Sequence, residues 1–196
     1  MRKTLAIMAA LGAFGIGANA QVLDFEDLNN NGTGGYTLFG DQFDSGGYHF
    51  ASVFMQGDPA ALASWTPDLP DYYTGSVSPF VNYFGDHVLM TKNGGGFFDV
   101  FSIDICDVYR IPGMNTTVTF VGTHADNSTT TKYVTLNGSE NLKTYALNLT
   151  NLKSLEWDTG DINWVQWDNI NLVPEPATMT ALALGALALI RKRRNV

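Results

Sequence analysis

Between residues 21 and 172 the chain is a succession of short runs rich in aromatic and β-branched residues, each cut off by Gly, Asn or Asp. No stretch there carries the 3.6-residue periodicity of an amphipathic helix. The runs 47–54, 97–105, 116–123, 132–136, 143–149, 154–157 and 164–172 read as strands. Within one of them Tyr145, Leu147 and Leu149 alternate with Thr144, Ala146 and Asn148, the pattern of a strand buried on one face. The segments 124–128 and Asn137-Gly138 read as hairpin loops. Many short strands at regular spacing predict an all-β fold, an antiparallel two-sheet sandwich of the jelly-roll type. The span 56–86 stands apart: Pro59, Pro67, Pro70 and Pro79 make it read as long loops laid over one end of the sandwich.

Both ends of the chain carry a different signal. Arg2 and Lys3 precede an apolar run over 5–16, and Ala18-Asn19-Ala20 supplies the small-x-small pattern of a secretory cleavage site. Residues 1–20 are thus expected to be a signal peptide, with a mature start at Gln21. At the other end Pro174 and Pro176 bar a helix before Ala177, after which Ala, Leu, Met and Ile run to Ile190. Fourteen residues in a helix span roughly 21 Å, short of a ~30 Å hydrocarbon core. The cluster Arg191-Lys192-Arg193-Arg194 nevertheless marks a membrane helix rather than a core helix, because such a cluster stays on the cytoplasmic side and its long side chains lengthen a short span. The order of Val173-Pro174-Glu175-Pro176, apolar helix and basic stop resembles the PEP-CTERM sorting signal of exosortase-processed bacterial surface proteins. That resemblance implies an exosortase as processing partner. It also implies a domain (21–172) first anchored in the inner membrane by 173–196 and facing the periplasm, then moved to the cell surface or extracellular matrix.

Between the signal peptide and the basic tail five basic residues, Lys92, Arg110, Lys132, Lys143 and Lys153, stand against 19 acidic ones, a formal charge of −14. Such a surface repels nucleic acid, which excludes that class of partner. Cys106 is the only cysteine, so no intramolecular disulfide forms; set between Asp104 and Asp107 it reads as a structural thiol, since reactive thiols need an electropositive setting.

Three short motifs, Leu23-Asp24-Phe25-Glu26, 97–104 and Trp167-Asp168-Asn169-Ile170-Asn171-Leu172, resemble the galactose-binding-like jelly rolls of carbohydrate-binding modules. In that fold the first and last strands often lie side by side, and the resemblance implies that Glu26 and Asp168 share a structural calcium. Val165 and Trp167 lie on one parity and Ile170 and Leu172 on the other, so a bulge at Asp168-Asn169 is expected. Calcium takes six to eight oxygens, so two carboxylates are part of a cage at most; the other reading is that both acids are strand ends of an acidic protein. A second candidate lies in the Pro-rich span, where Trp65, Tyr72 and Tyr73 are accompanied by Tyr83, Phe84 and several carboxylates. Flat aromatic faces beside hydrogen-bonding groups suit a glycan, while the same rings also serve to pin irregular loops to a sandwich.

No motif for catalysis emerges. His49, His87 and His124 are scattered, Gly94-Gly95-Gly96 lacks the following Lys of a phosphate loop, and there is no Gly-x-Ser-x-Gly elbow. The chain therefore reads as a non-enzyme: a structural or adhesive surface and matrix protein associated with exopolysaccharide. The competing reading is a secreted glycan hydrolase with the aromatic loops as its cleft.

Overall fold

The computed structural model describes residues 21–28, 35–109, 111, 113–138, 141–160 and 164–173. The signal peptide, the motif from Pro174 onward and the C-terminal apolar segment lie outside them. No helix of the described residues is long and apolar enough to cross a membrane.

Twelve strands are described: β1 (Gln21–Leu23), β2 (Tyr36–Gly40), β3 (Gln42–Ser45), β4 (Tyr48–Ser52), β5 (Leu62–Trp65), β6 (Pro79–Val81), β7 (His87–Lys92), β8 (Phe98–Asp107), β9 (Thr117–His124), β10 (Thr129–Thr135), β11 (Lys143–Asp158) and β12 (Val165–Val173). Hydrogen bonds link them in the order β2-β5-β6-β12-β8-β11-β7-β4-β3, with β1 added to β12 and the β9–β10 pair added to β11. All pairings are antiparallel.

This ladder folds into a sandwich because β11 belongs to both layers. Its residues 143–152 pair with β8, whereas 154–158 lie between β7 and β9. The crossing falls where Asn148 and Asn151 adopt φ of 51° and 54° and the register slips between Ala146 and Leu149 and again between Leu149 and Leu152. Asn tolerates this left-handed conformation better than other side-chain-bearing residues, and each bulge adds one residue, which turns the strand. The inward set accordingly reads Leu147, Leu149, Leu152, Leu155, Trp157, a period of two stretched to three at the bulges. The sequence suggested two strands at 143–149 and 154–157; they are one.

Leu23, Phe25, Phe50, Val88, Met90, Val100, Ile103, Ile105, Phe120, Trp157, Trp167 and Ile170 fill the space between the layers. Trp157 of one layer meets Trp167 of the other edge-on, ring centroids 5.2 Å apart, with Phe120 and Phe50 against the other sides of Trp157. Gly122 on β9 is placed by this packing: a Cβ there would come within 2.7 Å of the Leu152 side chain at the crossing. Cys106, expected as a structural thiol, is fully buried.

Two local expectations fail. The Pro-rich span 56–86 is not all loop, since β5 and β6 lie inside it; Pro79 takes the first position of β6, where a missing N–H is tolerated. Asn137-Gly138 does not close a hairpin either. β10 pairs with β9, and β11 starts beside β8, so this segment carries the chain from one layer to the other. The 124–128 loop does close the β9–β10 hairpin, with His124 N–H donating to Ser128 C=O at 2.9 Å.

Candidate functional site

The first candidate site is the end of the sandwich where β8 finishes and β12 begins. Val108 N–H donates to Trp164 C=O at 2.8 Å, so the residues after β8 and before β12 are held side by side. Gln166 on β12 reaches across and donates its side-chain amide to Tyr72 C=O, which fixes the Pro-rich loop to the same corner. The result is a chain of rings. Tyr72 meets Tyr109 edge-on at 5.8 Å, Tyr109 meets Trp164 at 5.3 Å, and Trp164 meets Phe84 at 5.4 Å. Phe84 and Tyr109 remain 52% and 38% exposed, which leaves aromatic surface facing solvent at this end.

Trp65 and Tyr72, both candidates for a glycan platform, lie stacked together. The Trp65 indole stacks on Tyr72 at 4.8 Å and on Phe80 at 5.1 Å, with Tyr36 edge-on at 6.1 Å. A ring flanked this way pins the loop to β5 and β6. Tyr73 turns to the acidic corner instead: burial first, then the charges of Glu26 and Asp168, raise its phenol above the usual tyrosine range. Tyr109 and Trp164 escaped the sequence reading because each sits alone beyond a strand, and only the pairing of β8 with β12 makes them neighbours.

Glu26 and Asp168 form the second candidate. β1 does pair with β12, Gln21 opposite Leu172 and Leu23 opposite Ile170, and the expected bulge is present: the β8–β12 register slips between Asp168 and Asn171, with Asn169 at φ 45°. Just past β1, Phe25 takes φ 56°, a conformation uncommon for a bulky side chain. Its ring is buried against Phe50 and Phe43, which holds the strain in place and lets the next residue, Glu26, turn toward the loop. There the two carboxylates grip consecutive residues of one segment. Glu26 Oε1 accepts from Val77 N–H at 2.9 Å, and Asp168 Oδ2 accepts from the Ser76 hydroxyl at 2.5 Å. Asp168 Oδ1 also accepts from Asn169 N–H, and the Asn169 side chain donates to Asp104.

Asp168 is 1% exposed, and its pKa is pushed up to about 6, first by burial and secondarily by the charges of Glu26 and Asp104, against the opposing hydrogen bonds from Ser76 and Asn169. The donor set suits loop anchoring directly. Among the described residues no group of three or more His, Cys, Asp or Glu side chains could hold a metal ion, so a cation at this pair would have to complete its shell with backbone oxygens or water.

Residues 172–194 match the PEP-CTERM protein-sorting motif. No curated protein matches the chain in sequence. Similar solved structures include the C-terminal domain of a chitobiase from Bacteroides fragilis, 9% identical, covering 69% of this chain and 100% of that domain with a TM-score of 0.41. A DUF4465 family protein from Bacteroides ovatus is 12% identical over 79% of this chain and 98% of its own, TM-score 0.43. CBM32-3 from a family 31 glycoside hydrolase of Clostridium perfringens is 12% identical over 54% and 81%, TM-score 0.32.

Proposed function

We propose, for a chain whose C-terminal end carries a protein-sorting motif, that the β-sandwich is delivered to the cell surface or extracellular matrix by exosortase processing and there contacts polysaccharide without transforming it. The observation that carries the contact is the ring chain Tyr72, Tyr109, Trp164, Phe84, which leaves aromatic faces exposed where a sugar ring can lie on them. The signal peptide directs export and is removed after Ala20, and the apolar tail holds the domain on the periplasmic side of the inner membrane until the exosortase cut.

Two measurements test this reading. Phe84→Ala with Tyr109→Ala is expected to weaken retention on a binding polysaccharide by about tenfold, since the two rings together are worth roughly 1.4 kcal/mol at a contact, with little change in melting temperature because both rings are exposed. Unchanged retention would remove this end as the contact. A hydrolysis screen on the same glycans separates the adhesive reading from a hydrolase: released sugar would favour the enzyme. For delivery, replacing Arg191, Lys192, Arg193 and Arg194 with neutral residues is expected to release or mislocalise the protein, measured by membrane fractionation. Unaltered membrane retention would count against the sorting role of the tail.

A further inference from the structure

The outer face of the layer containing β4, β7, β11, β9 and β10 holds a row of side chains that no sequence motif announces. His87 on β7 is directly opposite Asp158 on β11. Trp157 is opposite Phe120, which sets Asp158 beside Thr119 of β9, and Thr119 N–H donates to Asp158 Oδ1 at 3.1 Å. Thr119 is in turn opposite Tyr133 of β10. Beyond His87 the ring of Phe54 closes the row edge-on at 5.0 Å, and Glu156 Oε1 sits 2.7 Å from His87 Nδ1.

The ends of this row are what make it more than a solvated sheet face. Tyr133 is 70% exposed and Phe54 61%, the two most exposed large apolar side chains among the described residues. Singly, each would be ordinary surface. Placed on one line across the strands, with only polar groups between them, they are two flat platforms roughly 19 Å apart at ~4.8 Å per strand. The middle of the row, His87, Glu156, Asp158 and Thr119, offers hydrogen-bonding groups and negative charge in place of the apolar centre that a protein interface needs. Negative charge here, on an exported region already at a formal −14, disfavours any polyanion.

We infer that this row is a second polysaccharide-binding surface, which takes a strand without anionic groups laid across β7, β11, β9 and β10, with Phe54 and Tyr133 under its two ends and His87, Glu156 and Thr119 bonding the hydroxyls between. The inference rests on the polysaccharide reading above and adds a contact surface away from the β8–β12 end. A chain held at two faces of one domain, or two chains held by one domain, is what a matrix cross-linker requires.

The test uses the full-length protein in mild detergent and a panel of uncharged and anionic soluble polysaccharides, with retention measured by affinity electrophoresis. Phe54→Ala with Tyr133→Ala is expected to weaken retention by an uncharged polymer about tenfold, with the melting temperature unmoved. Glu156→Gln, which keeps hydrogen-bonding capacity, is expected to retain the uncharged polymer as the wild type does. If the Phe54/Tyr133 variant binds as the wild type does while Phe84→Ala with Tyr109→Ala loses binding, the row is not a site and the loop end stands. If the wild type prefers anionic polymers, the row is overturned; if it binds none of the panel, both surfaces fall.

Discussion

Replacing Trp65 with alanine is expected to lower the unfolding free energy by about 3–5 kcal/mol. The indole is held against Tyr72 and Phe80 and touched edge-on by Tyr36, so its removal opens a void at the seam between β5, β6 and the 66–78 loop. Rings around such a void relax only partly, and the cost therefore exceeds simple transfer of the side chain to water. Denaturant unfolding of wild type and variant measures it. The competing role, a glycan platform, gives the reverse signature: a loss below about 1 kcal/mol with retention on polysaccharide abolished.

The second large effect is a pH dependence that Asp168 imposes. Its folded pKa of about 6 lies above the ordinary carboxylate value of 3.8, so between those pH values the folded protein binds more protons than the unfolded chain. Stability contributed by the protonated form is therefore fully present below pH 3.8 and lost as pH rises through 6. The difference corresponds to roughly 3 kcal/mol. Asp168→Asn is expected to flatten this component, leaving the protein more stable than wild type at pH 7.5 by about 1–3 kcal/mol, because the amide oxygen still accepts and the Ser76 hydroxyl can turn to accept from the new amide hydrogen. Thermal melts of both proteins at pH 4.5 and 7.5 check it. A structural calcium shared by Glu26 and Asp168, the ligand suggested by sequence resemblance, gives the opposite outcome. Calcium would then raise the wild-type melting temperature relative to chelator, and the variant would lose both that increment and stability.

The parts of this protein legible in its sequence are those where chemistry is local. Alternation in 143–149 announces a half-buried strand, and the parity change around Asp168-Asn169 announces a bulge, because side-chain direction has a period of two and any slip in it is visible in one dimension. Strands of three to five residues such as β2, β5 and β6 are too short for a period to show, and prolines at 59, 67, 70 and 79 hid the two that lie in the Pro-rich span. The union of 143–149 and 154–157 into one strand depends on Asn148 and Asn151 accepting positive φ, which composition alone does not reveal. The proposed contact surfaces were less legible still. Trp65 and Tyr72 stand out as aromatic residues in a loop, but Tyr109 and Trp164 are 55 residues apart in the chain, and Phe54 and Tyr133 are 79 apart. Only strand pairing brings either pair onto one surface, and pairing is a property of the whole topology.

The placement of β12 has a mechanical consequence. One end of this strand, at Val165, adjoins the exposed ring of Tyr109 and the half-buried ring of Trp164; the other, at Val173, leads directly into the sorting motif. A pull entering through a polymer held by the rings and leaving through the tether runs along the axis of β12 itself. Its bonds to β8 on one side and to β6 and β1 on the other then carry the load together, in shear, instead of opening one after another like a zip. On the proposed function, a domain strung this way between a cell and a moving matrix would yield only when many backbone bonds break at once.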